Sequence, residues 1–559
     1  MELGIYLAIA GVVLVIFIFQ SIRYRIQQKN MILRKLEDAW GNRPDREYTY
    51  EEFEGITHYF LHSSKEKDYV VDDITWNDLD MDSIFMLLNN TNSSVGEEYL
   101  YNLLRTPIKD EEQLKERNRL IEYFYSHKET SIEFGKKYTA LGRTKKFSIY
   151  QYIQNLTQLG KRSNLKHIAS FIMLLASIGL LLVFPPVGIV AVLCTITFNV
   201  VMYYKYKAEV ENYFICFKYI VHLILTAEEI ADLNITELKE YNDKLRVLCA
   251  NLKSLKKGSS LLTSNNATGN LVDIIMDYFR MVTHIDLMKF NSMLGYTLKH
   301  MEDVTKLYET LGFIESMKAA ASFRGMTAYY TVPKFHDKKQ LAFEDIYHPM
   351  IDEPVANSLN EDKPVLLTGS NASGKSTFLK SIAINAVLAQ TIYTCMAKEY
   401  KTPFYDIYTS MALRDDLENN ESYYIVEIKS LKRIIDKVKE GRPVLCFVDE
   451  VLRGTNTVER IAASSCILRM LAQSQIMCFA ATHDIELTHI LERYFSNYHF
   501  QEEVKDNQVI FNYILYGGRA VSRNAIKLLG VMGYDKQIIE NAEKSAINFL
   551  QNGIWDNFS

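Results

Sequence analysis

The sequence predicts an α/β domain in its C-terminal part, a long all-α region before it, and three membrane-spanning helices. A glycine-rich loop at residues 369–377 stands between an extended apolar run and a helical pattern. Two later apolar runs end in polar side chains, as buried parallel strands do at their carboxyl ends. Three long uncharged segments are apolar enough to cross a bilayer.

The first membrane segment runs from Leu3 to Phe19 without a charge. At 1.5 Å per residue it spans about 25 Å, which is the short end for a transmembrane helix. A cleaved signal peptide is the alternative, but Glu2 precedes the apolar run and no small-residue cleavage site follows it. Basic residues come next and place the following segment in the cytoplasm. We therefore expect an anchor at residues 1–22 and a juxtamembrane segment at 23–75.

The second apolar block runs from Ile168 to Tyr204 and is interrupted by Pro185 and Pro186. Because proline ends a helix, the block reads as two spans joined by a tight turn, a transmembrane hairpin at residues 167–205. Lysines and arginines flank both of its ends, so both ends are expected in the cytoplasm. The alternative is a buried helical pair of a soluble protein. The hairpin predicts a multi-pass protein of the cell membrane, with its C-terminal domain in the cytoplasm.

The segments on either side of the hairpin, 76–166 and 206–330, have apolar residues at helical spacing and few glycines. A chain of 559 residues is long enough for several domains. Its net charge of −5 gives no global basic field of the kind that indicates nucleic acid. The seven cysteines show no CxxC pair, which favours reduced thiols over a disulfide framework or a zinc site.

The loop at residues 369–377 has the P-loop pattern, and the order strand, glycine turn, helix is what phosphate binding requires. Backbone N–H groups of the turn and the positive end of the helix bind phosphates. Lys375 is expected to reach the β- and γ-phosphates and to act in catalysis, and the Ser376 hydroxyl to bind Mg²⁺. The residues predicted to bind ATP in this loop are Gly369, Ser370, Asn371, Ala372, Ser373, Gly374, Lys375, Ser376 and Thr377.

Two further strand ends complete the predicted site. The apolar run from Val444 ends in Asp449, expected to meet the magnesium, and Glu450, expected to orient or deprotonate the attacking water. A second run, 476–481, is followed by Thr482 and His483, a pair that could sense the γ-phosphate. A solvated acidic strand end and an ordinary surface histidine are the alternatives. Three such strand ends in this order predict an ATPase of the P-loop NTPase type.

Together these segments resemble the MutS family of mismatch-repair ATPases, which belongs to the ABC class. The resemblance is carried by Tyr347-His348-Pro349, 368–377 with Asn371, 415–417, 422–427, 449–457, 481–488 and 525–542. It covers residues 340–545, and a weaker similarity to the family's helical core domain covers 75–150. It implies a MutS-like ATPase domain with C-terminal dimerisation helices at 331–545, followed by a tail at 546–559. The helical region at 76–166 would then be the core domain, and 206–330 core and lever.

The resemblance also implies roles and partners. His348 would lie at the nucleotide, and Ser422 of one subunit would close the ATP site of the other in a homodimer. Hydrolysis through Glu450 with His483 would release the two ATPase domains, and the clamp motion would act on DNA. ATP and Mg²⁺ are the implied cofactors.

The chain also departs from the family. Ser370 and Ser373 replace the usual proline and glycine of the loop, and Leu452 replaces a glycine. The family's N-terminal mismatch-reading domain has no counterpart here, and the Phe-x-Glu spellings at 313–315 and 500–502 lie in the wrong domains to be its wedge. Two functions stay open: a membrane-anchored ATPase clamp on DNA, or a DNA-independent ABC-class clamp on a membrane or protein partner. An ABC exporter is disfavoured, because the Leu-Ser-Gly-Gly-Gln signature is missing.

Overall fold

The computed structural model describes residues 2–144, 148–257, 271–370, 373–411, 423–453, 455–473, 475–505, 508–520, 526, 529, 533–553 and 555. The chain divides into two compact units. The first comprises residues 1–66, 88–102 and 119–325, and the second comprises 67–87, 103–118 and 326–559.

Helices form the described chain as far as residue 326. Their bounds are α1 Glu2–Ala39, α2 Tyr50–Ser63, α3 Asp73–Asp78, α4 Met81–Leu88, α5 Ser94–Arg105, α6 Glu111–Ser126, α7 Lys128–Leu141, α8 Ile149–Leu159, α9 Leu165–Val183, α10 Pro185–Ala231, α11 Lys239–Lys256, α12 Leu271–Thr283, α13 Ile285–Lys299 and α14 Met301–Met326, with 3₁₀ turns at Ser64–Glu66 and Thr236–Leu238. Most of the region predicted to be helical is therefore confirmed as helix.

The apolar block from Ile168 to Tyr204 forms two helices that meet at the prolines. Phe184 ends α9, and Pro185 and Pro186 stand in the first turn of α10, where a missing N–H costs no hydrogen bond. A Cβ atom at Gly188 would lie 2.2 Å from the Leu181 Cα, so the helices pack closely just after the turn. The second helix is longer than predicted and continues to Ala231.

Two helices in the described part of the chain are long and apolar enough to cross a membrane, Leu165–Val183 and Pro185–Glu211. The prediction of three spans is corrected to these two candidates. The expected first span, residues 3–19, lies at the start of α1, where the side chains of residues 1–10 and 13–14 are outside the description, and the remainder is too short to qualify. In each candidate span only 22% of the residues are buried, whereas a helical pair in a soluble core would be mostly buried.

Strands and helices alternate in the second unit. The bounds are β1 Lys334–Phe335, β2 Leu341–Ile346, β3 Asn357–Glu361, β4 Val365–Thr368, α15 Lys375–Thr391, β5 Glu399–Thr402, β6 Asp406–Ser410, α16 Tyr423–Lys439, β7 Val444–Asp449, α17 Thr457–Met470, β8 Ile476–Ala481, α18 Ile485–Ile490, β9 Ser496–Lys505, β10 Gln508–Gly517 and α19 Lys536–Asn552. A four-stranded sheet has the order β1-β5-β2-β3, and a six-stranded sheet has the order β10-β9-β4-β8-β7-β6.

The six-stranded sheet positions the predicted site. Its strands β9, β4, β8, β7 and β6 are parallel, and only β10 runs against its neighbour. Every residue of β4, β7 and β8 is buried, which explains why these strands read as continuous apolar runs. On one face Cys446 and Cys478 pack with residues of α16 and α17, such as Leu431 and Leu468. The carboxyl ends of β4, β7 and β8 therefore meet at one edge of the sheet.

Candidate functional site

The P-loop lies between the end of β4 and the start of α15. Gly369 and Gly374 have φ values of +149° and +100°, which L side chains rarely adopt. A Cβ atom at Gly369 would also lie 2.8 Å from the Phe500 carbonyl oxygen. Glycine is therefore required at both positions. The turn delivers the N-terminus of α15 to the sheet edge, where its free N–H groups can bind an anion.

Lys375 and Ser376 are the first two residues of α15, and their side chains contact the P-loop backbone and Asp449. The Lys375 ammonium donates to the carbonyl oxygens of Gly369 and Ser370, each at 2.8 Å. Burial lowers the pKa of Lys375, and the carboxylates of Asp449 and Glu450 oppose that shift. The Ser376 hydroxyl donates to Asp449 Oδ2. The structure thus brings Lys375 and Ser376 together with the predicted carboxylates of Asp449 and Glu450.

Two buried oxygen atoms at this edge lack a protein partner among the described residues. They are Asp449 Oδ1 and the Ser373 hydroxyl. An unpartnered buried carboxylate oxygen beside a serine hydroxyl suits a divalent cation. No group of three or more His, Cys, Asp or Glu side chains that could hold a metal occurs in the described chain. A Mg²⁺ site needs no such group, because Mg²⁺ takes one or two protein ligands and completes its shell with water and nucleotide phosphates.

Glu450 stands in the left-handed region, with φ of +60°, just beyond β7. Its backbone N–H donates to Ala481 O at 2.9 Å, which ties the end of β7 to the end of β8. His483 donates from Nε2 to Glu450 Oε1 at 2.8 Å, and Arg453 pairs with the other carboxylate oxygen. Burial opposes ionisation of Glu450, but the hydrogen bond from His483 and the charge of Arg453 outweigh it and lower the pKa of Glu450. The carboxylate is held ionised, as a general base must be.

The His483 ring has a second close neighbour, the Lys375 ammonium, 3.5 Å from the same Nε2 atom. Because Nε2 carries the proton that Glu450 accepts at 2.8 Å, it has no lone pair to offer the ammonium. The Lys375 ammonium is therefore only in contact with His483, and the hydrogen bond of Nε2 is the one to Glu450.

A cavity of about 490 Å³ opens beside the P-loop and is large enough for a nucleotide. The predicted site residues that line it are His348, Ser370, Ser373, Gly374, Lys375, Ser376, Thr377 and Glu450. The remaining wall combines apolar side chains such as Ile351 and Val355 with polar ones such as Glu353 and Asn357. Asn371, Ala372 and Ser422 lie outside the described residues, so their predicted binding roles stay predictions.

Sequence reasoning gave no role to four residues of this site. Arg453 pairs with Glu450, and Glu502 accepts from the Ser370 hydroxyl at 2.8 Å. Tyr513 lines the cavity. Glu427 accepts the backbone N–H of Leu452, which has φ of +60° where the family has glycine. The leucine at a position where a glycine is expected indicates strain in this turn, but the sequence does not show which side chain supports it.

The comparisons with known proteins agree with this geometry. Residues 365–550 match the family model of MutS domain V, the ATPase-containing C-terminal domain. Residues 365–550 therefore form a MutS-type domain V. DNA mismatch repair protein MutS of Pseudothermotoga lettingae is 31% identical over 253 residues, which are 43% of this chain and 31% of that protein. The protein of the same name from Thermus thermophilus is 29% identical over 218 residues, 38% of this chain and 26% of its own.

A eukaryotic relative is similar to a comparable share of the chain. MutS protein homolog 4 of Mus musculus is 30% identical over 263 residues, 44% of this chain and 27% of its own length. The chain thus spans about a third or less of the length of the curated relatives it matches. The predicted P-loop, Asp-Glu strand and Thr-His strand all lie within the matched MutS domain.

His348 gives this site a testable pH dependence. Its Nδ1 accepts the Met350 N–H at 3.2 Å, a bond that only a neutral ring can make. Burial, and then the charge of Lys380, lower its pKa to about 4 from 6.5. The unfolded chain therefore takes up the proton first as the pH falls, and the folded state loses stability between pH 6.5 and about 4.

The lowered pKa of His348 should cost the wild type about 2 kcal/mol of unfolding free energy between pH 6.5 and 5. We expect His348→Gln to lack this loss. The measurement is the unfolding midpoint of each variant across this pH range, with His489→Gln, an exposed histidine of the same unit, as the control. Parallel pH curves for wild type and His348→Gln would show that this ring is not held neutral.

Proposed function

We propose that this MutS-family chain is a membrane-anchored ATPase that binds and hydrolyses ATP as a dimer to drive a clamp-type conformational change on DNA. The observation that carries the ATPase proposal is the meeting of three strand ends. Ser376 contacts Asp449, and Glu450 contacts His483, at the P-loop edge of one sheet. Each pair joins residues more than 30 positions apart in the sequence, so folding alone brings them together.

The residues divide the work as follows. The ammonium of Lys375 leaves its loop carbonyls for the β- and γ-phosphates when ATP binds, since both are oxygen acceptors and the phosphates carry full charge. Ser376 and Asp449 would hold Mg²⁺, which MutS ATPases use with ATP and which neutralises phosphate charge. Glu450 accepts a proton from the attacking water or orients it, while Arg453 and His483 keep its carboxylate ionised and in place.

The membrane part rests on the hairpin of α9 and α10. Its side chains expose large apolar surfaces, with Leu182 82% and Leu193 61% exposed. An uncovered apolar surface of this kind is costly in water and is stable in a bilayer. Basic residues flank both ends, which supports an orientation with the ATPase domain on the cytoplasmic side.

The dimer and the DNA ligand rest on family membership, since MutS proteins act as dimers and bind DNA. The alternative is a DNA-independent clamp on a membrane or protein partner. The net charge of −5 favours this alternative. The burial of the two Phe-x-Glu sequences, at 313–315 and 500–502, also favours it. Glu315 is fully buried, and Phe500 and Glu502 are 2% and 8% exposed, so neither carboxylate can reach a base as a wedge.

One experiment separates the two functions. The full-length protein in detergent is titrated onto duplex, mismatched and branched DNA, with and without ATP, from 50 to 200 mM salt. Contacts to six or more phosphates would weaken binding by about 10³-fold or more over this range. We expect such binding to depend on ATP, and Lys375→Ala to abolish that dependence. A preparation that hydrolyses ATP but does not bind DNA at 50 mM salt would reject the DNA clamp in favour of the alternative.

A further inference from the structure

We infer that the cytoplasmic end of the hairpin holds one anionic phospholipid, with an acyl chain between α9 and α10 and the headgroup at Lys166. The inference rests on the proposed membrane anchoring and adds a ligand site to it. It is carried by two adjoining cavities whose walls are largely apolar and which share Lys166 and His167, so that together they fit an amphipathic molecule.

The first cavity has a volume of about 750 Å³ and lies between the two helices. Its wall is formed by Ala169 and Met173 of α9 with Phe198 and Met202 of α10. Met173 and Phe198 are 41% and 49% exposed, so the cavity opens on the outer surface of the hairpin, where lipid tails would lie. A groove of this composition suits an acyl chain.

The second cavity, of about 430 Å³, shares Lys166, His167 and Tyr206 with the first. It adds Arg162 and Asn291 to the wall, together with the apolar Leu165, Val210 and Leu287. The cavities therefore adjoin at the three shared residues, and their basic side chains, Arg162 and Lys166, lie just before and at the start of α9. A molecule that fills both therefore has an apolar end and an anionic end.

Lys166 provides the charge that selects the headgroup. It is exposed and forms no ion pair or hydrogen bond with any described residue, whereas Arg162 is paired with Glu209 at 3.0 Å. A cation beside an apolar groove at the cytoplasmic surface attracts anionic lipid, with about 1 kcal/mol per basic residue. A zwitterionic lipid gains little from Lys166, because its own cation opposes the contact.

His167 provides a second, directional contact. His284 donates from Nε2 to the Asn199 carbonyl oxygen at 2.8 Å, so its Nδ1 is an acceptor in the neutral ring. His167 therefore donates from Nδ1 to that atom across 3.1 Å, and its own Nε2 becomes an acceptor without a partner in the described chain. His167 is only 6% exposed and lines both cavities. A headgroup hydroxyl, such as those of phosphatidylglycerol, can donate to this nitrogen.

The test is native mass spectrometry of the full chain in detergent, titrated with phosphatidylglycerol or phosphatidylcholine. We expect one phosphatidylglycerol to bind more tightly than phosphatidylcholine, and Lys166→Gln to weaken it about fivefold. Lys205→Gln is the control, because Lys205 is an exposed lysine of the same region that lines neither cavity. Equal binding of the two lipids, or equal losses in the two lysine variants, would overturn the headgroup site.

The apolar half of the site has its own variants. Ala169→Phe fills the cavity and should weaken phosphatidylglycerol binding about tenfold, by excluding the chain; Ala176→Phe, at an exposed position of α9 outside the cavity, should leave it within twofold. An unchanged affinity in Ala169→Phe would reject the groove. Alkaline washing of membranes tests the anchoring separately. Release of the protein would overturn the membrane proposal itself, whereas retention without lipid preference would overturn only the lipid site.

Discussion

Replacing Glu450 by glutamine is expected to leave ATP binding within about threefold of wild type and to lower steady-state hydrolysis by about 10²- to 10⁴-fold. Glutamine keeps the shape of the side chain but cannot accept a proton from water. The residues expected to bind the phosphates and the magnesium, Lys375, Ser376 and Asp449, are unchanged, so the nucleotide should still bind. The measurement pairs ATP affinity by equilibrium binding with turnover by phosphate release.

The control for this prediction is Glu486→Gln, which removes an exposed carboxylate three residues after His483. It should change neither binding nor turnover. Turnover of Glu450→Gln within threefold of wild type would remove the general-base role. An interaction used only in hydrolysis leaves ATP binding intact. A loss of ATP binding as large as the loss of turnover would therefore mean that Glu450 contributes to binding ATP instead of to its hydrolysis.

The strands that carry the predicted site could be located from the sequence because their signal is local. Buried parallel strands show as unbroken apolar runs, and β7 and β8 have the bounds that the runs at 444–449 and 476–481 indicate. The parallel order then places Asp449, Glu450 and His483 at one edge, because the carboxyl ends of parallel strands meet there. The geometry of the Ser376–Asp449 and Glu450–His483 contacts follows from that topology.

The contacts that complete the site carry no such signal. Arg453 could have been read as a solvated loop cation, and Glu427 as part of a polar helix face, yet each holds a strained turn beyond β7. Their partners depend on how the turn after β7 bends, with Glu450 and Leu452 both at positive φ. Local pattern reasoning cannot supply that bend, since neither residue type predicts the left-handed region.

A buried carboxyl group in the helical unit was equally hidden. Glu98 has its Oε2 bonded to the Tyr308 and Ser148 hydroxyls, each at 2.8 Å, and burial raises its pKa to about 8. Along the sequence it is one of a pair of glutamates in a helical pattern, which is typical of a solvated face. Glu98 is buried because α5 packs against α14. The pairing of two helices so far apart in the sequence is set by tertiary packing and cannot be read from local periodicity.

That approach of α5 to α14 depends on two glycines, one on each helix. A Cβ atom at Gly96 would lie 2.1 Å from the Glu315 carboxylate, and one at Gly312 would lie 2.6 Å from the Tyr99 Cβ atom. Real Cβ atoms do not come so close to other atoms. The Glu315 carboxylate ends a flexible side chain, but the Tyr99 Cβ is fixed to its backbone, so a substitution at Gly312 must move a helix.

We therefore expect Gly312→Ala to destabilise the helical unit by about 1–3 kcal/mol, the usual cost of overpacking a core. The matched control is Gly295→Ala in α13, where an added Cβ meets nothing within 4 Å. That control should stabilise the unit by up to about 1 kcal/mol, because alanine favours a helix over glycine. Both are measured as shifts of the chemical unfolding midpoint. Since helix propensity favours alanine at both positions, opposite signs isolate the α5–α14 contact. A midpoint raised equally by both variants would mean that the two helices do not pack this closely in solution.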